Sequence, residues 1–309
     1  MRKILGVNTS HNVSFAYFED NILKEYYEED RFNKIKNFLP EENEDGNYTY
    51  KYKALEKFKD ITFDVVAFAS YDRGHLQIEL PIIKHILKQV KYKKYYFDIN
   101  NHHIYHANCG YYFSKFKEAI AVITDGGGEI IHNRDFQVIQ SIFTVNKEQI
   151  KKFYQKATNN FSYYFNDNEK IIEKNITDYD FDLILSNALF GGYKYYRYTK
   201  KAGFKSFEEG QLMGIAAYKN KNTNLDKNVL EIADKAQKET LQEIIELIER
   251  AKTYSDCKNI ILSGGYHLNC ANNFKLVKHF PELNFFVDPI PYDGGMAVGA
   301  AYYYENYLQ

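Results

Sequence analysis

The sequence predicts an α/β protein of two similar halves that face each other across a cleft. Three observations point there. The chain opens on three short β-rich runs parted by polar breaks. Further along, a strand runs into a glycine pair or triplet and then into a helix, three times over. Finally, 309 residues, 45% of them apolar, are enough for two modest cores. Glycines at the C-terminal ends of strands are where open α/β sheets receive phosphates.

Taken in order, Ile4–Asn8, Val13–Phe18 and Ile22–Glu28 read as strands. The break Glu19-Asp20-Asn21 is short and polar enough for a hairpin. A polar stretch from Pro40 carries Asp45-Gly46-Asn47 as a turn signal. Residues 61–69 read as a buried strand, with a helix near 79–90. Asn101–Phe113 reads as a helix, Ala119–Thr124 as a strand ending at Asp125-Gly126-Gly127-Gly128, and Gln137–Val145 as a further strand. The Asn-rich stretch 151–180 reads as irregular. Glu208–Tyr218 reads as a helix, and Asn228–Lys252 as a long one that turns Val229, Ile232, Ile244, Ile245, Leu247 and Ile248 to the core. Ile260–Leu262 ends at Ser263-Gly264-Gly265, with a helix from about 267. Leu283–Val287 is the last strand, and Asp293-Gly294-Gly295 opens a final helix, 295–306. A ββ-hairpin with a third strand, followed by two such halves, is the plan of the actin/Hsp70/sugar-kinase (ASKHA) architecture, with the active site in the cleft between them. No strict sequence repeat accompanies it.

Composition narrows the function. Forty basic residues oppose 41 acidic ones, a net charge of −1, which gives no electrostatic footprint for tight duplex DNA binding. Three cysteines (Cys109, Cys257, Cys270) make no disulfide framework and point to a reducing compartment. Cys109 and Cys270 read as small core residues. No signal peptide and no membrane span is legible, so a cytoplasmic protein is expected. The 29 tyrosines are scattered and fit an AT-rich coding bias better than a stacking surface.

Three constellations carry chemistry. His102 and His106 stand four apart on a helix and share a face, while His103 points elsewhere. Asp125, at a strand end, and Asp293 complete a set of two imidazoles and two carboxylates suited to Fe²⁺, Zn²⁺ or Mn²⁺. Such histidine pairs also arise from capping or packing. The glycine turns Gly126–Gly128, Gly264-Gly265 and Gly294-Gly295 let backbone amides approach phosphate oxygens. Between the first two strands, His11 can accept a proton near neutral pH, and its loop would touch the reacting group.

The opening ILGVNTSHNVSFAYFEDNILKEYYEEDRFNKIKN resembles the N-terminal signature of the NodU/CmcH-type O-carbamoyltransferases. HHIYHANCGYYFS followed by AVITDGGGE is similar to that family's paired-histidine and glycine motifs. EEGQLMGIAAY (208–218), LSGGYHLNCANN (262–273) and PIPYDGGMAVGAA (289–301) are similar to its remaining motifs, in the same order. The resemblance implies the actin-like fold shared with the tRNA threonylcarbamoyl-adenosine synthases. It implies transfer of a carbamoyl group from carbamoyl-adenylate, made from carbamoyl phosphate and ATP, to an acceptor hydroxyl with release of AMP. A bound iron or similar divalent ion would hold the nucleotide phosphate, with His102, His106, Asp125 and Asp293 as its ligands. The adenylate would contact Gly126, Gly127, Gly128, Gly264, Gly265 and Asn269, and Lys36 would lie near the carbamoyl phosphate. His11 matches the histidine of the family's Gly-His-Asp loop, and the neutral Asn12 beside it could hydrogen-bond an acceptor.

Family members usually continue into a YrdC-like domain that makes the adenylate. The expectation is therefore that residues 1–309 form the transfer module alone, with a separate YrdC-like protein supplying the donor. Its two subdomains would be about 1–125 with the final helix, and about 126–295. The acceptor could be a small molecule, a sugar or a modified nucleotide. Two other readings stay open: threonylcarbamoyl-type tRNA modification, and a non-catalytic nucleotide-binding scaffold of the same fold.

Overall fold

A computed structural model describes residues 1–41, 43–44, 47–69, 76–131, 135–159, 173–177 and 179–309, with the backbone alone for 76–80. The turn signal at Asp45-Gly46 lies outside the described residues. The first half runs β1 (Lys3–Asn8), β2 (Ser14–Glu19), β3 (Ile22–Glu28), a single turn α1 (Asp30–Asn33), β4 (Thr62–Ala69), α2 (Leu76–Leu87) and β5 (Lys91–Phe97). Its five strands lie in the order β3-β2-β1-β4-β5, antiparallel among β1–β3 and parallel across β1-β4-β5. Then come α3 (His102–Ser114), β6 (Glu118–Thr124), β7 (Ile130–Ile131), β8 (Phe136–Asn146), β9 (Ile150–Asn159), β10 (Glu173–Ile176), β11 (Asp182–Ser186), α4 (Gly191–Lys201), α5 (Glu209–Ala216), α6 (Lys227–Tyr254), β12 (Asn259–Ser263), α7 (Cys270–His279), β13 (Asn284–Val287) and α8 (Met296–Tyr307).

The second sheet runs β10-β11-β9-β8-β6-β12-β13, with β7 paired to β8. Its centre, β9-β8-β6-β12-β13, repeats the order and directions of the first sheet: two antiparallel pairings on one side of β6, two parallel ones on the other. The duplication expected from spacing is thus present as topology.

Each central strand is apolar on both faces because both faces are covered. In β1 and β4, Ile4, Val65 and Ala67 enter a core shared with α3 and α8, while Leu5, Val7, Val66 and Phe68 face Ile82, Ile83 and Ile86 of α2. In β6, Ala119, Ala121 and Ile123 enter the shared core, and Ile120 and Val122 meet Ile232, Ile244, Leu247 and Ile248 of α6. The helices that follow the two sheets are exchanged: α3 packs on β6, β8 and β12, whereas α8 packs on β1, β2 and β4.

Small residues set how closely α3 and α8 cross. A Cβ on Gly299 would stand 1.9 Å from the Tyr105 carbonyl oxygen, a backbone atom that cannot turn aside. Gly299→Ala is therefore expected to cost about 1–3 kcal/mol of stability, read as a shift of the urea unfolding midpoint. An unchanged midpoint would contradict this crossing.

Several elements differ from the sequence reading. The stretch 151–180 is not irregular where described, since it supplies β9 and β10, while 160–172 and 178 lie outside the described residues. The charged strand β5 and helix α4 carry no strong pattern and were not anticipated. Cys109 is a buried core residue, but Cys270 is exposed at the start of α7. Among the described residues, no helix is long and apolar enough to cross a membrane.

Candidate metal centre and transfer site

The chemistry gathers where β1 and β6 end. Asn8, the last residue of β1, shapes the loop after it: its side-chain amide donates to the carbonyls of His11 and Asn12, both at 3.2 Å, and its oxygen accepts the Ser10 amide at 3.1 Å. Asn12 sits at φ 62°, a left-handed conformation that asparagine tolerates. Ser14 Oγ donates to the Gly294 carbonyl at 2.7 Å, tying the loop to the turn that precedes α8. Asp125 directly follows β6, Asp293 opens the turn before α8, and His102 and His106 lie on the first two turns of α3.

These four side chains converge: one ligand atom from each of His102, His106, Asp125 and Asp293 lies within 4.8 Å of the others, and all four residues are buried. His102 Nε2 is 3.1 Å from Asp125 Oδ2 and 3.8 Å from Asp293 Oδ1. His106 Nε2 is 3.8 and 3.7 Å from the same two oxygens. Those spacings are too long for hydrogen bonds, and among the described residues neither ring nitrogen of the buried His106 finds a hydrogen-bond partner. Burying an unpaired polar group is costly. Ligands about 2.0–2.2 Å from a tetrahedral ion stand roughly 3.3–3.6 Å apart, so a divalent cation would satisfy His106 where no protein group does. The residues present fit the ion.

The cluster's protonation follows from its crowding. Burial alone would lower the His102 pKa, but the Asp125 hydrogen bond and the Asp293 charge outweigh it and lift it to about 9. Burial alone would raise both carboxyls. Asp125 is instead held below the usual range by its bond to His102, with the charges of His106 and His102 adding to it, and Asp293 by His11, His106 and His102. His103 belongs elsewhere, as its place on the helix requires: burial drives its pKa down to about 4, and Nδ1 pairs with Ser141 Oγ at 2.7 Å.

Asp293 also joins the cluster to the loop after β1. Its Oδ1 faces the two histidines, while Oδ2 accepts Ser10 Oγ at 2.5 Å and lies 3.3 Å from His11 Nε2. On its other side, His11 Nδ1 is 2.9 Å from Asn12 Oδ1. Asn12 is thus engaged within the protein, since its nitrogen reaches Asp30 Oδ2 and Asn37 Oδ1, both at 3.4 Å. It orients His11. Lys36 is exposed, one residue from Asn37.

The glycine turns divide. Gly126 is exposed, and a Cβ there would meet nothing within 4 Å. By contrast, Gly127 packs on the Gln137 side chain and Gly128 on the His103 ring. Gly264 holds φ 95°, and a Cβ there would lie 2.3 Å from the Thr124 carbonyl oxygen, so only glycine serves at this crossing. Gly265 and Asn269, expected against an adenylate, have their polar groups committed. The Gly265 amide donates to Asp125 Oδ1 at 2.8 Å. Asn269 caps α7 through the Asn272 amide at 3.1 Å and donates to Gln237 Oε1 at 2.8 Å. Gly294 and Gly295 are closed in by Tyr292, Tyr26, the Ile290 carbonyl and Cys109.

Three contacts at the site escaped sequence reasoning. Ser10 bonds Asp293 across 283 positions, which no local pattern signals. Glu129, the last residue of the DGGGE motif, is buried and accepts the His103 amide at 3.2 Å and Gln155 Nε2 at 2.6 Å, anchoring the first turn of α3. Phe207 places its ring 5.1 Å from that of His11. The surface hollow lined by Met1, Arg2, Asp64, Val65, Lys93 and Lys94 lies at the other end of β1 and holds no such constellation.

Comparison with known proteins bears on this geometry. Full-length HypF in a phosphate- and nucleotide-bound form shares 12% identity and superposes with a TM-score of 0.55, over 97% of this chain and 55% of that one. HypF of T. kodakarensis matches at 12% and 0.53, over 99% and 48%. This chain thus spans about half the length of either HypF chain. A ROK family protein from Streptococcus pneumoniae TIGR4, solved in complex with sucrose, matches at 12% and 0.52, with 98% of both chains covered. Likeness at this identity shows the fold, the sugar-kinase-like ASKHA architecture. Comparison with curated proteins finds no match. The family model described as Carbamoyltransferase N-terminus matches residues 44–302, a span that holds all four clustered side chains and begins after His11, Asn12 and Lys36. With that match over most of its length, the chain belongs to the carbamoyltransferase N-terminal family.

Proposed function

We propose that the chain transfers a carbamoyl group from carbamoyl-adenylate to an acceptor hydroxyl, an O-carbamoyl transfer that releases AMP. The observation that carries this reading is the shared carboxylate of Asp293, which faces the four-ligand cluster with one oxygen and His11 with the other. His102, His106, Asp125 and Asp293 would hold a divalent ion, Fe²⁺, Zn²⁺ or Mn²⁺. When bound, it would offset the negative charge of the adenylate phosphate.

The remaining work falls to the chain itself. The acceptor oxygen bonds to the carbamoyl carbon, the bond from that carbon to the phosphate oxygen breaks, and AMP leaves with the electron pair. The acceptor proton passes to His11 Nε2. Asn12 Oδ1 holds the proton on Nδ1, which leaves Nε2 as the accepting nitrogen, and the imidazolium so formed stands 3.3 Å from Asp293 Oδ2. The open backbone at Gly126 is the place for the nucleotide phosphate nearest Asp125. The adenylate would come from carbamoyl phosphate and ATP through a YrdC-like activity.

Incubation with carbamoyl phosphate, ATP and a YrdC-like protein, followed by mass analysis of sugars and nucleosides, tests the reading. The expected result is an acceptor that gains one carbamoyl group as AMP accumulates. AMP formation no faster than with the YrdC-like protein alone would overturn it.

A further inference from the structure

We infer that Glu129 is a positioning residue for the metal centre: it clamps the first turn of α3 to the glycine turn after β6, so that His102 and Asp125 meet at the spacing a divalent ion needs. This rests on the reading of His102, His106, Asp125 and Asp293 as ligands. Glu129 ends the DGGGE turn that Asp125 begins, so one short turn carries a ligand at one end and this carboxylate at the other. The turn is fixed to β8 at three points. The Asp125 amide donates to the Ile139 carbonyl at 3.0 Å, the Gly128 amide to the Val138 carbonyl at 2.7 Å, and the Val138 amide to the Glu129 carbonyl at 2.9 Å.

The clamp reaches α3 through His103, the histidine that does not join the cluster. Its backbone amide donates to Glu129 Oε2 at 3.2 Å, and its ring lies so near Gly128 that a Cβ there would stand 2.5 Å from Nε2. Ser141 Oγ of β8 holds the same ring at Nδ1, 2.7 Å away. The first amides of a helix have no partner within it. Asn101, at the cap position, supplies none: its side-chain nitrogen donates instead to Asp98 Oδ2 at 3.0 Å and Tyr96 Oη at 3.2 Å. A cap needs only an accepting oxygen, and any polar side chain would serve. Here a carboxylate 1% exposed has been brought in, with the means to keep it charged. Its Oε1 accepts Gln155 Nε2 at 2.6 Å and lies 3.9 Å from Lys152 Nζ, both on β9. The result is a fixed negative charge at the N-terminus of the helix that carries two of the ligands.

Titration of the full, metal-free chain with Co²⁺ tests this, with affinity read by chelator competition and ligand geometry by the visible absorption of the bound ion. The parent should bind about one equivalent. Glu129→Gln keeps the shape but turns an amide nitrogen toward one of two donors, and should weaken Co²⁺ binding about 10–100-fold. It also leaves Lys152 without its carboxylate, which destabilises the fold on its own account. Glu129→Gln with Lys152→Met removes that second effect. The melting temperature of the metal-free double variant should return toward the parent's while Co²⁺ binding stays weak. Affinity within about twofold of the parent's in Glu129→Gln, or affinity that recovers together with the melting temperature in the double variant, would make Glu129 a merely structural residue and overturn the inference. A parent that takes up no Co²⁺ would sink the metal centre and the clamp with it.

Discussion

His11→Asn is expected to slow carbamoyl transfer by about 10²–10⁴-fold while nucleotide affinity stays within twofold or so. The asymmetry follows from where His11 sits. Its Nε2 lies against Asp293 Oδ2 and its Nδ1 against Asn12, so on the proposed reading it would take the acceptor proton beside a carboxylate. An asparagine side chain can keep a hydrogen bond to Asp293 or Asn12 but cannot accept the proton. The change leaves in place Gly126 and the four clustered side chains proposed to hold the phosphate, and Asp293, which borders His11, keeps Ser10 Oγ as a partner. AMP release under single-turnover conditions, set beside AMP binding by calorimetry, separates the two effects. A variant that releases AMP at the parent's rate would remove His11 from the mechanism.

His106→Ala carries the second large effect: bound transition metal should fall from about one equivalent to less than a tenth. His106 is the member of the cluster with no other use. Its ring is buried, both nitrogens lack hydrogen-bond partners among the described residues, and its Nε2 is almost equidistant from the two carboxylates. Removing it leaves three ligands and two buried carboxylates that only His102 can neutralise within the cluster. The helix that bears it should persist, because Tyr105, Ala107, Cys109 and Tyr111 remain in the shared core. Elemental analysis after reconstitution reads the metal directly. A chelator should lower the parent's melting temperature and leave that of the variant unchanged, since a ligand bound only by the folded state stabilises it. Metal retained at one equivalent in His106→Ala would mean that the four side chains are not the ligands.

What could be read from the sequence follows from how local its cause is. The strands β1, β4, β6 and β12 were legible because both faces are apolar, and α6 because its apolar face recurs at helical spacing over 28 residues. β5, written KYKKYYF, was not: it is an edge strand with most side chains in solvent, so burial left no alternation to find. α4 opens on Gly191-Gly192, which reads as a break. The glycine pair is there because Gly192 packs against the backbone of Asp125 and Gly126.

The site divides along the same line. His102 and His106 announce themselves by helical spacing, and Asp125 by its place at a strand end. Asn269, expected against an adenylate, caps α7, a role that an asparagine before a helix commonly fills. The bond from Ser10 to Asp293 and the contact between Phe207 and His11 join segments about two hundred residues or more apart, and exist only once α8 docks on the first sheet and the loop before α5 reaches the loop after β1.

AMP release from synthetic carbamoyl-adenylate by the metal-loaded protein, set against His11→Asn and His106→Ala, reads the proposed chemistry without knowledge of the acceptor, since water can stand in for it. Release by the parent should exceed that of either variant by about 10²-fold or more. Equal release by all three proteins would show that the cluster and the histidine beside it do not carry the transfer.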